Sequence, residues 1–86
     1  MSTIHIQVRY FASLREALGS QERVQLPSGA TAGAARDALF ARGGLHAQVL
    51  ARGRAVRCSL NQTLCDDTQP LREGDELAFF PPVTGG

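Results

Sequence analysis

Two consecutive prolines, Pro81 and Pro82, fix where the last regular element of this chain has to stop. Proline carries no backbone N–H, so the pair removes two successive donors and no ladder can continue through them. Immediately upstream, Leu77 and Phe79 alternate with Ala78 and Phe80, the period-two pattern of a strand that must end at Phe80. The residue before a proline is biased toward extended geometry, so Phe80 and Pro81 are expected to leave the sheet as a straight strut. Residues 81–86 then reach roughly 20 Å if fully extended. They finish in Gly85-Gly86. A tip without Cβ atoms can enter a channel too narrow for any side chain, and its carboxylate is then the only functional group delivered. The alternative is a frayed, disordered end. The apolar strand and double proline upstream argue for a presented tail, and Gly86 is read as the reactive residue.

Eighty-six residues, 43% of them apolar, suffice for one core and not for two. Residues 1–80 are read as one domain and 81–86 as an extended, flexible tail. Near the start, Ile4, Ile6, Val8 and Tyr10 alternate with His5, Gln7, Arg9 and Phe11, giving a strand with one apolar face. Phe11 falls on the polar side. Phe80 likewise falls opposite Leu77 and Phe79. If the first and last strands are neighbours, two phenylalanines stand together in solvent. Burying one is worth about 1.5–3 kcal/mol, so an exposed pair in a small domain marks a partner surface. Rings folded under a local loop are the alternative.

Ser13 to Leu18 is short and stopped by Gly19-Ser20, and reads as a turn, with Arg15 a candidate partner contact or a solvated residue. Val24 and Leu26 alternate with Arg23 and Gln25 in a second strand over 22–26 that Pro27-Ser28-Gly29 closes. Thr31 is placed to cap a helix from Ala32 to Arg42, with Ala35, Ala38, Leu39 and Arg42 as its inner stripe and Gly43-Gly44 as its end. Leu45 to Leu50 reads as a second helical segment. Val56, Cys58 and Leu60 define a third strand over 55–60, and Asn61-Gln62 offers a turn into Thr63-Leu64. Residues 66–70 form a polar loop and 71–75 a tight turn before the last strand. This order of elements fits an α+β fold of two layers, helices on one face of a sheet.

Formal charge is +1, and all nine basic residues are arginine, scattered among eight acids. That mixing gives no nucleic-acid surface; Arg52, Arg54 and Arg57 make a small cluster read as solvated. Without lysine the chain offers no side-chain amine for isopeptide self-conjugation. His5 and His46 stand alone and are read as surface residues. Cys58, in the alternating stretch, reads as a buried apolar residue, and Cys65 as exposed near a turn. The two cysteines have no metal-ligand spacing, and Asp66-Asp67 reads as turn. No metal site is expected. The start of the chain lacks a basic stretch followed by an apolar core, and no apolar run approaches spanning length, so a cytoplasmic protein is expected, with no membrane partner.

The run Phe79 to Gly86, with Leu60-Asn61-Gln62-Thr63-Leu64, Gly74-Asp75-Glu76 and Phe11-Ala12-Ser13-Leu14-Arg15-Glu16, resembles the small, sulfur-carrying subunits of molybdopterin synthase. These are the MoaD type of the ThiS/MoaD ubiquitin-like family. Gly-Gly alone is shared with ubiquitin-like modifiers and the thiamine sulfur carrier; the longer run is specific, and the resemblance spans nearly the whole chain. It implies a β-grasp, ubiquitin-like fold, a mixed sheet with helices packed on one face and its first and last strands parallel neighbours. It also implies that the chain is no enzyme alone. Gly86 would be activated by an adenylating enzyme of the MoeB type, similar to ubiquitin-activating enzymes. That enzyme would use ATP, for which this chain has no phosphate-binding glycine loop; no cofactor is expected to be bound here. Conversion to a thiocarboxylate would let Gly86 give sulfur to cyclic pyranopterin monophosphate in the large, MoaE-type subunit, making a dithiolene. In this picture Gly85 and Gly86 enter the pocket behind Pro81, Pro82, Val83 and Thr84, while Phe11, Leu64 and Phe80 dock the body. A carrier for thiamine or cysteine biosynthesis, or a ubiquitin-like module whose end never reacts, are the alternatives.

Overall fold

The computed structural model describes residues 2–82. Its elements are β1 (Thr3–Tyr10), α1 (Ser13–Leu18), β2 (Gln21–Pro27), α2 (Ala32–Phe40), α3 (Gly44–Leu50), β3 (Arg57–Leu60), β4 (Thr63–Cys65) and β5 (Glu76–Phe80). The strands form one sheet in the order β2-β1-β5-β3-β4. β1 and β5 are parallel and the other neighbours antiparallel. This is the expected β-grasp, with the first and last strands side by side.

Period-two alternation decides which face is dry. Ile4, Ile6, Val8 and Tyr10 of β1, Leu26 of β2, Leu77 and Phe79 of β5 and Cys58 of β3 are buried together with Leu14, Ala32, Ala35, Leu39 and Leu50 from the three helices. All helices therefore cover one face. Tyr10 and Phe79 stack with ring centroids 6.4 Å apart, and each fully buried side chain of this size contributes about 1.5–3 kcal/mol.

α2 is capped as expected, the Ala34 amide donating to Thr31 Oγ1 at 3.2 Å. Its buried stripe is Ala32, Ala35, Arg36 and Leu39, however, while Ala38 and Arg42 face outward. The helix also ends at Phe40, the Arg42 and Gly43 amides turning back to Leu39 and Phe40 carbonyls. Arg36 is buried because it closes the C-terminal end of α3: Nε donates to the Leu50 carbonyl at 2.8 Å, and Nη2 to those of Ala51 and Arg54 at 2.6 and 3.1 Å. Carbonyls left unpaired at a helix end want a cation, and Arg36 supplies it.

Other expectations are corrected. Ser13–Leu18 is a helix rather than a turn: Leu14 is buried on its inner side, and Gly19, at φ 93°, ends it with its amide on the Arg15 carbonyl. Ala12 enters it at φ 55°, ψ −130°, a conformation that a Cβ disfavours. β3 begins at Arg57 rather than Ala55, because the preceding segment is bent to bring the Arg54 carbonyl to Arg36. β2 is one residue longer at each end than expected and includes Pro27, tolerated because β2 is an edge strand. Arg52 is no free cation: it forks onto Asp37 with Nε–Oδ1 2.9 Å and Nη2–Oδ2 3.1 Å, pairs with Asp67, and donates to the Gly33 carbonyl at 3.2 Å. These pairs hold the Asp37 carboxyl below its usual range and tie α2 to the loop after β4.

His46 is likewise not a surface residue. Its Nε2 lies 2.8 Å from Glu22 Oε2, to which the Tyr10 hydroxyl donates at 2.7 Å, and Arg42 pairs with the other oxygen. Burial alone would raise the Glu22 carboxyl, but the bonds from His46, Tyr10 and Arg42 with the charge of Arg42 outweigh it and hold it at about 2. Burial and then the bond to Glu22 push the Tyr10 hydroxyl well above its ordinary value. Glu22 thus links β1, β2, α3 and the turn after α2.

Candidate functional site

The face of the sheet away from the helices carries the sequence-predicted docking residues. In the β1–β5 ladder Arg9 stands opposite Ala78 and Tyr10 opposite Phe79, and the Phe11 amide carries the pairing one step further, donating to the Phe79 carbonyl at 3.1 Å. Phe11 and Phe80 therefore occupy neighbouring positions on the open face. Phe11 is 40% exposed and Phe80 half-buried. Pro81 and Pro82 continue directly from this point, both half-buried.

Leu64 shares the face but not the neighbourhood. It pairs with Ser59, and Ser59 with Ala78, so Leu64 is two strands from Ala78, roughly 10 Å at the usual strand spacing. At 65% exposure it is the most exposed of the large apolar residues among those described. The expectation that it stands beside Phe11 and Phe80 becomes a looser one: the same surface, with Ser59 and Arg57 between. The hairpin that presents it turns on Asn61 and Gln62, both at positive φ (48° and 73°), and Asn61 is tied to β5, Nδ2 donating to Asp75 Oδ1 at 3.1 Å and Oδ1 accepting from the Glu76 amide at 3.0 Å.

Sequence reasoning missed Arg9 and Arg57 on this surface. Arg9 lays its guanidinium 5.3 Å from the centre of the Phe11 ring, and Nη1 lies 3.7 Å from Glu76. It is packed closely enough that Nε is buried without a hydrogen-bond partner among the described residues. Arg57 stands opposite Phe80 in the β3–β5 ladder. The surface is thus an apolar centre edged by cations, and a cation over an aromatic face gains about 0.5–1 kcal/mol at such exposure. The only signal available beforehand was that Arg9 fell on the polar side of the first strand.

Val83, Thr84, Gly85 and Gly86 lie outside the described residues. Arg15 is exposed on α1. Among the described residues no group of three or more His, Cys, Asp or Glu is arranged to hold a metal ion, and no helix is long and apolar enough to cross a membrane. Asp66 behaves as a turn residue, Oδ1 accepting from the Thr68 amide at 2.9 Å.

Residues 8–86 match the profile of the ThiS family. The chain belongs to the ThiS family. Among relatives of this ThiS-family chain, the molybdopterin synthase sulfur carrier subunit of Haemophilus influenzae is 42% identical over 82 residues, covering 94% of this chain and 99% of that protein. The crystal structure of the small archaeal modifier protein SAMP1 from Haloferax volcanii superposes with a TM-score of 0.76 at 32% identity, covering 95% of this chain and 99% of the other. The fold also matches a chain in the complex of subunits 1 and 2 of the molybdopterin-converting factor from Helicobacter pylori, TM-score 0.67 at 24% identity, covering 96% and 100%.

Proposed function

We infer that this chain is the sulfur carrier subunit of molybdopterin synthase. The observation that carries the reading is the 42% identity, over almost the full length of both chains, to a relative of that name. The exposed Phe11 and half-buried Phe80 at the root of the tail support it, because they supply a docking surface where a partner would receive residues 81–86. The partner proposed for that surface is the large, MoaE-type subunit, with Leu64 as an outlying contact.

A carboxylate is a poor electrophile, so exchange of a Gly86 oxygen for sulfur requires prior activation. An adenylating enzyme of the MoeB type would join the carboxylate to AMP from ATP, releasing pyrophosphate. Sulfide-level sulfur released by a donor then attacks the carbonyl carbon, the bond to the AMP oxygen breaks, AMP leaves, and a thiocarboxylate remains. That soft anion attacks cyclic pyranopterin monophosphate in the large subunit's pocket, and hydrolysis of the acyl link leaves sulfur on the pterin and the carboxylate on Gly86. Pro81 and Pro82 stiffen the root of the tail and reduce the ordering cost when Val83, Thr84, Gly85 and Gly86 enter that pocket. The body provides presentation and the partners provide chemistry, so the chain is a substrate-like subunit and no enzyme alone.

Intact-mass measurement of the protein co-expressed with its adenylating enzyme tests this, the expected result being one oxygen replaced by sulfur at Gly86. Deleting Gly86 is expected to abolish transfer while leaving the melting temperature within about 4 °C, because surface changes away from the core seldom move stability by more than about 0.5 kcal/mol. Persisting transfer in the deletion would remove the tail from the mechanism. A protein modifier is the second reading, favoured by the likeness to SAMP1; appearance of Gly86 in amide linkage to other proteins, with no thiocarboxylate, would select it.

A further inference from the structure

Cys58 and Cys65 face each other across the β3–β4 ladder as a register pair. Sequence reading kept the two apart, one as a core residue and the other beside a turn. Their sulfurs are 3.3 Å apart, and the Cys58 thiol also lies 3.5 Å from the Cys65 carbonyl. Both are free thiols. They differ in access: Cys58 is 7% exposed, whereas Cys65 is half-buried. Both line an open surface cavity of about 650 Å³ whose wall also includes Val56, Asp67 and Pro82. Solvent-borne reagents thus have a route to the pair, beside the root of the tail.

We propose that Cys58 and Cys65 are a site of reversible oxidation, a cross-strand dithiol that closes to a disulfide in reaction with a low-molecular-weight disulfide. A disulfide needs sulfurs about 2.05 Å apart on Cα atoms within about 7 Å of each other. Directly paired residues of adjacent strands meet the second condition at about 4.5–5.5 Å, and the sulfurs already stand 3.3 Å apart. Cys65 is the entry point. Its thiolate attacks one sulfur of the small disulfide, whose S–S bond breaks; one thiolate leaves and takes up the proton Cys65 released. The Cys58 sulfur then attacks Cys65 Sγ, the mixed disulfide breaks, and the second small thiol leaves with the Cys58 proton. Two protein thiols lose two electrons, and the small disulfide becomes two thiols. Burial, then the bond to Cys65, pushes the Cys58 thiol up to about 12, which keeps it protonated and slow toward dissolved reagents; its part in the second step rests on contact with Cys65 at 3.3 Å.

The bridge would stiffen the hairpin that presents Leu64, next to the place where Pro82 leaves the sheet. Nothing in this step depends on the sulfur-carrier reading, since it uses neither Gly86 nor a partner.

Reduced full-length protein incubated with glutathione disulfide and measured by intact mass is the test. The expected product is lighter by two hydrogens, carries no glutathione, and returns to the starting mass with reductant. No arginine or lysine lies between Cys58 and Arg72, so the lighter mass should appear in the single tryptic peptide 58–72. Cys58→Ala is expected to retain one glutathione on Cys65, because the sulfur that displaces it has gone. Wild-type protein that keeps one or two glutathiones, forms a disulfide-linked dimer, or stays unreacted overturns the proposal without recourse to any variant.

Discussion

At Ala12 a side chain sits where the backbone favours none. The residue holds φ 55°, ψ −130° between β1 and α1, and its amide neighbours are committed, Phe11 to β5 and Glu16 back to the Ala12 carbonyl. A non-glycine residue in such a region stores about 1–3 kcal/mol. Ala12→Gly is therefore expected to stabilise the domain by about 0.5–1 kcal/mol, the relief of strain exceeding the added freedom of the unfolded chain, and chemical denaturation checks it; a loss of stability would mean that the conformation is unstrained. Phe80→Ala is expected to lower the melting temperature less than it weakens binding to the proposed large subunit, because the ring is only half-buried and stands on the open face. Equilibrium binding and thermal melts of one preparation rank the two effects. Phe11 and Phe80 were legible in the sequence because alternation alone assigns faces. Ala12 was not, since nothing in an alanine announces a positive φ.

Among the elements, the strands were the most legible and the short helix α1 the least. Six residues give too few turns for a periodic signal, and α1 exists because Leu14 is drawn into the core under α3, a tertiary effect. The same reason hid Arg36 and Arg52. Their partners are fourteen or more residues away, and an arginine in a helix or loop looks alike whether it is solvated or clamps a carbonyl. Arg36→Ala is expected to cost about 1–3 kcal/mol, since it leaves the buried Leu50 carbonyl at the end of α3 without its donor. Arg52→Ala is expected to cost about 1 kcal/mol or less, because its ion pairs with Asp37 and Asp67 are exposed. Denaturant midpoints measured side by side test the ranking, and equal losses would contradict the burial argument.

At the scale of the molecule, Glu22 joins β1, β2, α3 and the turn after α2. Its carboxyl is held at about 2 against an ordinary value of 4.5, so the native state favours its ionised form. The stability this contributes is fully present above about pH 4.5 and is lost as pH falls through about 2. Glu22→Gln is expected to be less stable than wild type at pH 7 by about 1–3 kcal/mol, the worth of hydrogen bonds to a charged group, and the gap should narrow steadily as the buffer is taken from pH 5 to pH 2. Melting curves of both proteins across that range decide it; a constant gap would show that the charge on Glu22 is irrelevant. The sequence offered no route to this cluster, because Tyr10, Glu22, Arg42 and His46 share no spacing, and their meeting depends on how the helices lie over the sheet. The stop after Phe80 was legible, since two prolines act through backbone chemistry that needs no tertiary context; Val83, Thr84, Gly85 and Gly86 lie outside the described residues.

β5 occupies the middle of the sheet, hydrogen-bonded to β1 on one side and β3 on the other. Residues 81–86 are thus attached to the strand gripped from both flanks. A partner that draws on the tail loads two ladders at once, along the strand axis, so the bonds share the tension in shear rather than opening one after another. Under the proposed function the body would act as a moored float, hauled against a partner's surface and let go, turnover after turnover, with its core undisturbed.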